Sequence, residues 1–246
     1  MVKKIKMEIN KNTIVGDVVA DNYKAATVFS NYKIDFCCNG NRSLETVCAE
    51  KELSLETLMN DLEDSFSVAN SSDDYKKWDI GFLADYVYNN HHIYVENKIP
   101  EIKQYLTKIC SVHGAEHPEL FKINDLFVGA AGALTQHMKK EELILFPYFK
   151  KLAIAFKAKE SIDLPGFGSV QNPISVMHQD HDTEGDRFRE ISRLTNDYTP
   201  PAGACNSYKA TFAMLKEFEA DLHKHIHIEN NILFKKAIEI EAQLLN

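Results

Sequence analysis

His137-Met138-Lys139-Lys140-Glu141-Glu142-Leu143-Ile144-Leu145-Phe146 and His225-Ile226-His227-Ile228-Glu229-Asn230-Asn231-Ile232-Leu233-Phe234 share one pattern, H-x-x-x-E-x-x-I-L-F, 88 positions apart. Each is preceded by another histidine at almost the same interval: His92 stands 45 residues before His137, and His181 stands 44 before His225. The half-unit is a helix with one His followed by a helix with His-x-x-x-Glu, used twice. Such a duplication predicts an all-α four-helix bundle with pseudo-twofold symmetry, its polar positions converging at the middle.

The helical phase turns these residues inward. In the last segment Phe218, Leu222, Ile226 and Leu233 recur at three- and four-residue steps, and His225 and Glu229 share that face. Leu134, Met138, Leu145 and Tyr148 do the same around His137 and Glu141, while Tyr88, Val95 and Ile99 flank His92. A carboxylate on an apolar face is costly unless it is paired or bound to a metal. A His and a Glu four apart rise about 6 Å along a helix. That suits two ions ~3.5–4 Å apart, with the Glu reaching between them. Two such Glu bridge the pair while four imidazoles terminate it. The expected ligands are His92, His137, Glu141, His181, His225 and Glu229, and ligand type leaves iron, manganese and zinc open. A lone His-x-x-x-Glu is ordinarily a hydrogen-bonded pair, and His92-x-x-x-Glu96 is read that way. The duplication, the core phase and the matched upstream His favour metal for the rest.

Outward from these motifs, four helical stretches are expected at roughly 78–110, 121–157, 174–195 and 205–243, with Pro100 and Pro147 interrupting the first two. Loops are expected at 163–173 and 196–203. Residues 67–77, from Ser67 through a polar run to Tyr75 and beyond, read as a linker. It separates a small helical domain (1–66), with N-caps at Ser43 and Ser54, from the bundle (78–246).

Hydrophobic residues make up 44% of the 246 and charged residues 26%, an ordinary globular balance. The net charge of −8 excludes the basic field that non-specific nucleic-acid or anionic-membrane binding requires. The basic start has no apolar run after it, so no signal peptide is expected, and no stretch approaches the ~20 apolar residues of a membrane span. Five Cys do not make a disulfide framework, and the cytoplasm is the expected compartment. Cys37-Cys38 lies in the turn-like Asp35-Phe36-Cys37-Cys38-Asn39-Gly40. Consecutive Cα atoms ~3.8 Å apart fall short of the usual disulfide span, so a bridge there would be strained and easily reduced. Arg42 and a helix start near Ser43 are expected to favour thiolate. The bland reading, two small half-buried residues, stands beside that one. Cys48, Cys110 and Cys205 are read as ordinary buried or loop residues. His91 and His227 are expected to face solvent, and His178 to be an outer or spare ligand. His113 and His117 are read as structural.

Beyond these motifs the chain resembles the iron–sulfur cluster repair proteins of the RIC (YtfE/ScdA) type, with their hemerythrin-like domain, over nearly its whole length. The carriers are Asp35–Gly40, His137–Pro147, Pro173–Asp182 and His225–Phe234, in the family's order and separations. His178 stands where the family commonly has an acidic residue, and Lys235 where proline is common. The resemblance implies two oxo- or hydroxo-bridged non-haem iron ions on the six residues above. It further implies repair of clusters damaged by nitric oxide or oxidants, iron–sulfur client proteins as partners, and nitric oxide or oxygen as small ligand. It tips Cys37 and Cys38 toward a role in redox or thiol transfer. Asp221, Glu142 and Asp182 are the expected outer partners of the ligating His. An oxygen or nitric oxide carrier or sensor and a di-iron nitric oxide reductase are the rival readings, and whether the chain is an enzyme stays open, as does a homodimer.

Overall fold

The computed structural model describes residues 9–67 and 75–245. The basic start and the centre of the expected linker lie outside these residues. The described chain is helical, with no strand in it beyond one isolated bridge between Ile14 and Ser43. It divides into two compact units, one reaching to Asp79 and including 226–236, the other comprising 80–225 and 237 onward.

The smaller unit holds α1 (Val15–Asp21), α2 (Ala25–Asn31), α3 (Leu44–Glu50) and α4 (Leu55–Ser67). Both expected N-caps are present: Ser43 Oγ accepts the Thr46 N–H at 3.1 Å, and Ser54 Oγ accepts that of Thr57 at 3.3 Å. Val15, Phe29, Leu44, Val47, Leu58 and Leu62 are fully buried and form its core. Residues 226–236 pack in the same unit, where Asn231 donates its side-chain amide to the Phe36 carbonyl at 3.2 Å and Asn230 donates to that of Cys37 at 3.3 Å. Glycine allows close approach where these segments meet, most tightly at Gly40. A Cβ on Gly16 would stand 2.5 Å from Asn231 Oδ1, and one on Gly40 would stand 2.2 Å from the Phe36 carbonyl oxygen.

The larger unit is a four-helix bundle. Its first rod is α5 (Ile80–Val87) and α6 (Ile93–His113), its second α7 (Glu119–Lys140) and α8 (Phe146–Ala158). The third is α9 (Gln171–Leu194); the fourth is α10 (Asn206–Ile228) with α11 (Phe234–Leu244), of which 226–236 count with the smaller unit. Phe127, Phe188 and Phe218 meet in its core with ring centroids 5.4–5.6 Å apart. Buried Glu241 ties α11 to the start of α9, accepting hydrogen bonds from the Val170 N–H at 2.9 Å, the Ser169 hydroxyl at 2.6 Å and the Tyr148 hydroxyl at 2.8 Å. A carboxylate at a helix N-terminus satisfies N–H groups that the helix cannot.

Three rods contain a π-turn, at Tyr88–His92, Glu141–Leu145 and Glu229–Leu233. The expected proline interruptions differ from what is found. Pro100 lies within α6, the break in that rod coming earlier, at Tyr88–His92. Pro147 follows the second π-turn in the first turn of α8, where a missing N–H costs little.

Candidate metal centre

Each expected ligand comes from the middle of its rod. His92 closes the first π-turn, His137 lies in the last turn of α7, and His181 lies mid-way along α9. His225 lies near the end of α10, while Glu141 and Glu229 each open a π-turn. The π-turn adds a residue to the helical turn and so re-aims the side chains beside it, a device common at functional sites. Both copies of E-x-x-I-L form one, so the sequence repeat is also a repeat of this local geometry.

The structure brings all six side chains together, and none is more than 3% exposed. His92, Glu141, His225 and Glu229 offer ligand atoms within 4.8 Å of one another, and His137, Glu141, His181 and Glu229 do the same. The two sets share both glutamates and differ in their histidines. Nε2 of His92 and Nε2 of His137 each lie 3.3 Å from Glu141 Oε2, and the Nε2 atoms of His137 and His181 are 3.0 Å apart. The His92 and His225 rings have centroids 5.0 Å apart. Imidazole nitrogens and buried carboxylates are the donor types that a protein-bound cation takes.

Outer carboxylates hold the imidazoles by their other nitrogen. His92 Nδ1 lies 3.1 Å from Glu142 Oε1, and Lys139 grips Glu142 at 2.6 Å and Glu96 at 2.9 Å. His137 Nδ1 lies 3.3 Å from Asp180 Oδ2, which also accepts from Lys140 at 3.0 Å. Hydrogen bonding to His137, with Lys140 beside it, holds the Asp180 carboxyl down at about 2. Nδ1 thus meets a carboxylate on the outside and Nε2 is left facing the centre, the usual orientation of a ligating His. Glu142 falls where expected. Asp221 does not pair with His225: its carboxylate lies 2.9 Å from His91 Nδ1, and His91 stacks on His225 at 5.4 Å. Asp180 stands against His137, while Asp182, the expected partner, is exposed. In Asp180-His181-Asp182 the sequence alone does not distinguish the two.

Both His91 and His227 are buried, contrary to expectation. His91 shares the first π-turn with His92. His227 sits between Tyr23 and Phe36, with ring centroids 5.9 and 5.8 Å away, and accepts the Asn231 amide on Nδ1 at 3.0 Å. Burial lowers its pKa to about 3, so it stays neutral. The neighbouring Ile226 and Ile228 were the available signal, since a helix apolar all round is a buried one. His113 and His117 both pack on Tyr208, and His113 lies 3.2 Å from Cys205 Sγ. Beside His137 a cavity of about 240 Å³ is lined by Gln136, Asp180, Thr183, Glu184 and Arg187. Burial raises Glu184 to about 7 although Arg187 opposes the shift.

Cys37 and Cys38 are not joined in a disulfide, and their sulfurs are 3.7 Å apart. The expected thiolate bias is not found at Cys37. The Arg42 guanidinium is engaged by Glu50 and the Asn39 carbonyl, and the hydrogen bond to Cys38, with burial, pushes the Cys37 thiol well up.

Among the described residues no helix is long and apolar enough to cross a membrane. Fold and cluster together define a four-helix bundle built around a buried, converging set of His and Glu. Residues 84–237 match the hemerythrin HHE cation-binding domain, and residues 11–65 match ScdA_N, a domain of unknown function. The chain is 31% identical to the iron-sulfur cluster repair protein ScdA of Staphylococcus epidermidis, over 93% of its own length and 99% of that relative. It is 30% identical to the iron-sulfur cluster repair protein YtfE of Yersinia pseudotuberculosis, over 94% and 99%. The chain therefore belongs to the ScdA/YtfE family of hemerythrin-domain proteins.

Proposed function

We propose that His92, His137, Glu141, His181, His225 and Glu229 hold two non-haem iron ions, oxo- or hydroxo-bridged, and that the protein repairs iron–sulfur clusters damaged by nitric oxide or oxidants. The observation that carries this is the sharing of Glu141 and Glu229 between two pairs of histidines. The names of the relatives, both iron-sulfur cluster repair proteins, supply the function. A dinuclear iron centre provides one-electron chemistry and open positions for a diatomic ligand. The chain's residues do the rest. Four imidazoles and two carboxylates would hold the ions, and Glu142 and Asp180 fix ring orientation at His92 and His137. The cavity beside His137 is the proposed entry for nitric oxide or oxygen. Iron itself is the proposed cargo, delivered to cytoplasmic iron–sulfur client proteins.

Iron counting with optical spectroscopy of the purified protein tests the centre. Wild type should hold two irons per chain with oxo-bridged ferric absorption, and Glu141→Ala and His225→Ala should fall well below two. Full occupancy in both variants would reject the ligand set.

A further inference from the structure

A second donor group lies in the smaller unit, with no residue in common with the first. Asp35, Cys37 and Cys38 offer a carboxylate oxygen and two sulfurs, all within 4.8 Å of one another. The geometry points to a separate thiophilic cation site there, for a borderline divalent ion such as Zn²⁺ or Fe²⁺, with both sulfurs and the Asp35 carboxylate as ligands.

The sulfur separation is the first argument. A metal–thiolate bond of ~2.3 Å at tetrahedral angles puts two sulfurs ~3.7–3.8 Å apart. Cys37 and Cys38 already stand at 3.7 Å. A disulfide would have to draw them together across adjacent residues, against the span such bonds prefer. One ion accepts them where they are.

The rigidity of the loop is the second. Asp35 Oδ1 accepts the N–H groups of Cys37 at 3.1 Å and Cys38 at 3.0 Å, and lies 3.3 Å from Cys37 Sγ. Asn39 donates to Asp35 Oδ2 at 2.9 Å. On the other side Asn230 and Asn231 hold the Cys37 and Phe36 carbonyls, and Gly40 permits a backbone approach that any Cβ would block. Donors fixed in place before binding lose little freedom on meeting an ion. Access is graded as well. Cys37 is buried while Cys38 and Asp35 are half-buried, so an ion reaches the pair from the Cys38 side. Binding forms two sulfur–metal bonds and passes two thiol protons to solvent; nothing is oxidised or reduced.

Cobalt(II) added to the reduced, metal-free, full-length protein tests this. The His and Glu cluster contains no sulfur, so thiolate-to-cobalt charge-transfer absorption reports the cysteines alone. It should saturate at the intensity of one thiolate-bound cobalt per chain, vanish in Cys37→Ser and in Cys38→Ser, and persist in Glu141→Ala and in Cys205→Ser. A second measurement needs no variant: cobalt should slow alkylation of Cys38 at least tenfold, mapped by peptide mass spectrometry, and leave exposed Cys205 reactive. No charge-transfer band in wild type, a band surviving both cysteine variants, or an unchanged Cys38 alkylation rate would each overturn the site. Iron counted in Cys37→Ser reports the His and Glu cluster alone, so the two proposals fail independently.

Discussion

At residue scale the centre depends on which carboxylate faces which imidazole. Asp180 and Asp182 flank His181 and are chemically identical, but Asp180 reaches across to His137 while Asp182 is exposed. A hydrogen-bonded carboxylate fixes the ring and raises its basicity, and losing one commonly costs 10–100-fold in metal affinity. Asp180→Asn and Glu142→Gln should therefore each weaken iron retention about 10–100-fold against a calibrated chelator, and Asp182→Asn should leave it unchanged. Equal losses at Asp180 and Asp182 would show that the contact to His137 does not matter. Asp221 belongs to the same comparison, for it addresses His91, whose ring stacks on that of His225.

Elements show which features the sequence displays and which it hides. The hydrophobic phase, the N-caps at Ser43 and Ser54 and the helical extents were readable because each is a local side-chain preference. The six converging residues were readable because a duplication repeats spacing as well as composition. The π-turns at the same positions were not, since an added residue in a helical turn has no propensity of its own and is set by packing. The second copy of the motif did carry a signal in its departures from the first, Asn230-Asn231 standing where Glu142-Leu143 stands. Those amides take the carbonyls of Cys37 and Phe36. The tie between α11 and α9 was equally invisible, because Glu241 looks like any surface acid of a last helix. Glu241→Ala would leave the Val170 N–H and the Tyr148 hydroxyl buried without their acceptor, a loss of about 1–3 kcal/mol for each group so stranded. Urea denaturation should show a lower midpoint with an unchanged slope; an unaltered midpoint would mean water replaces the carboxylate without penalty.

On the scale of the whole molecule the domain plan is discontinuous, which reading along the chain is poorly placed to detect. A linker announces itself by composition, but a stretch of one continuous helix that counts with another unit does not, and 226–236 is such a stretch. Its marks are Ile226, His227, Ile228, Asn230 and Asn231, all buried, where a bundle helix would show a polar face. Unfolding also registers carboxyls that the fold desolvates. Burial raises Glu219, on α10 beside Tyr198, from about 4.5 to about 7. Between those values the unfolded chain ionises Glu219 while the folded one does not, so this group's contribution to stability is complete below about 4.5 and falls away as pH rises to 7. Glu219→Gln keeps the neutral amide at every pH and removes that penalty. Relative to wild type the variant should gain on the order of 1–3 kcal/mol between pH 5 and pH 8, read from paired denaturant titrations of the metal-free protein. Parallel pH profiles for the two proteins would show that Glu219 stays ionised in the folded state.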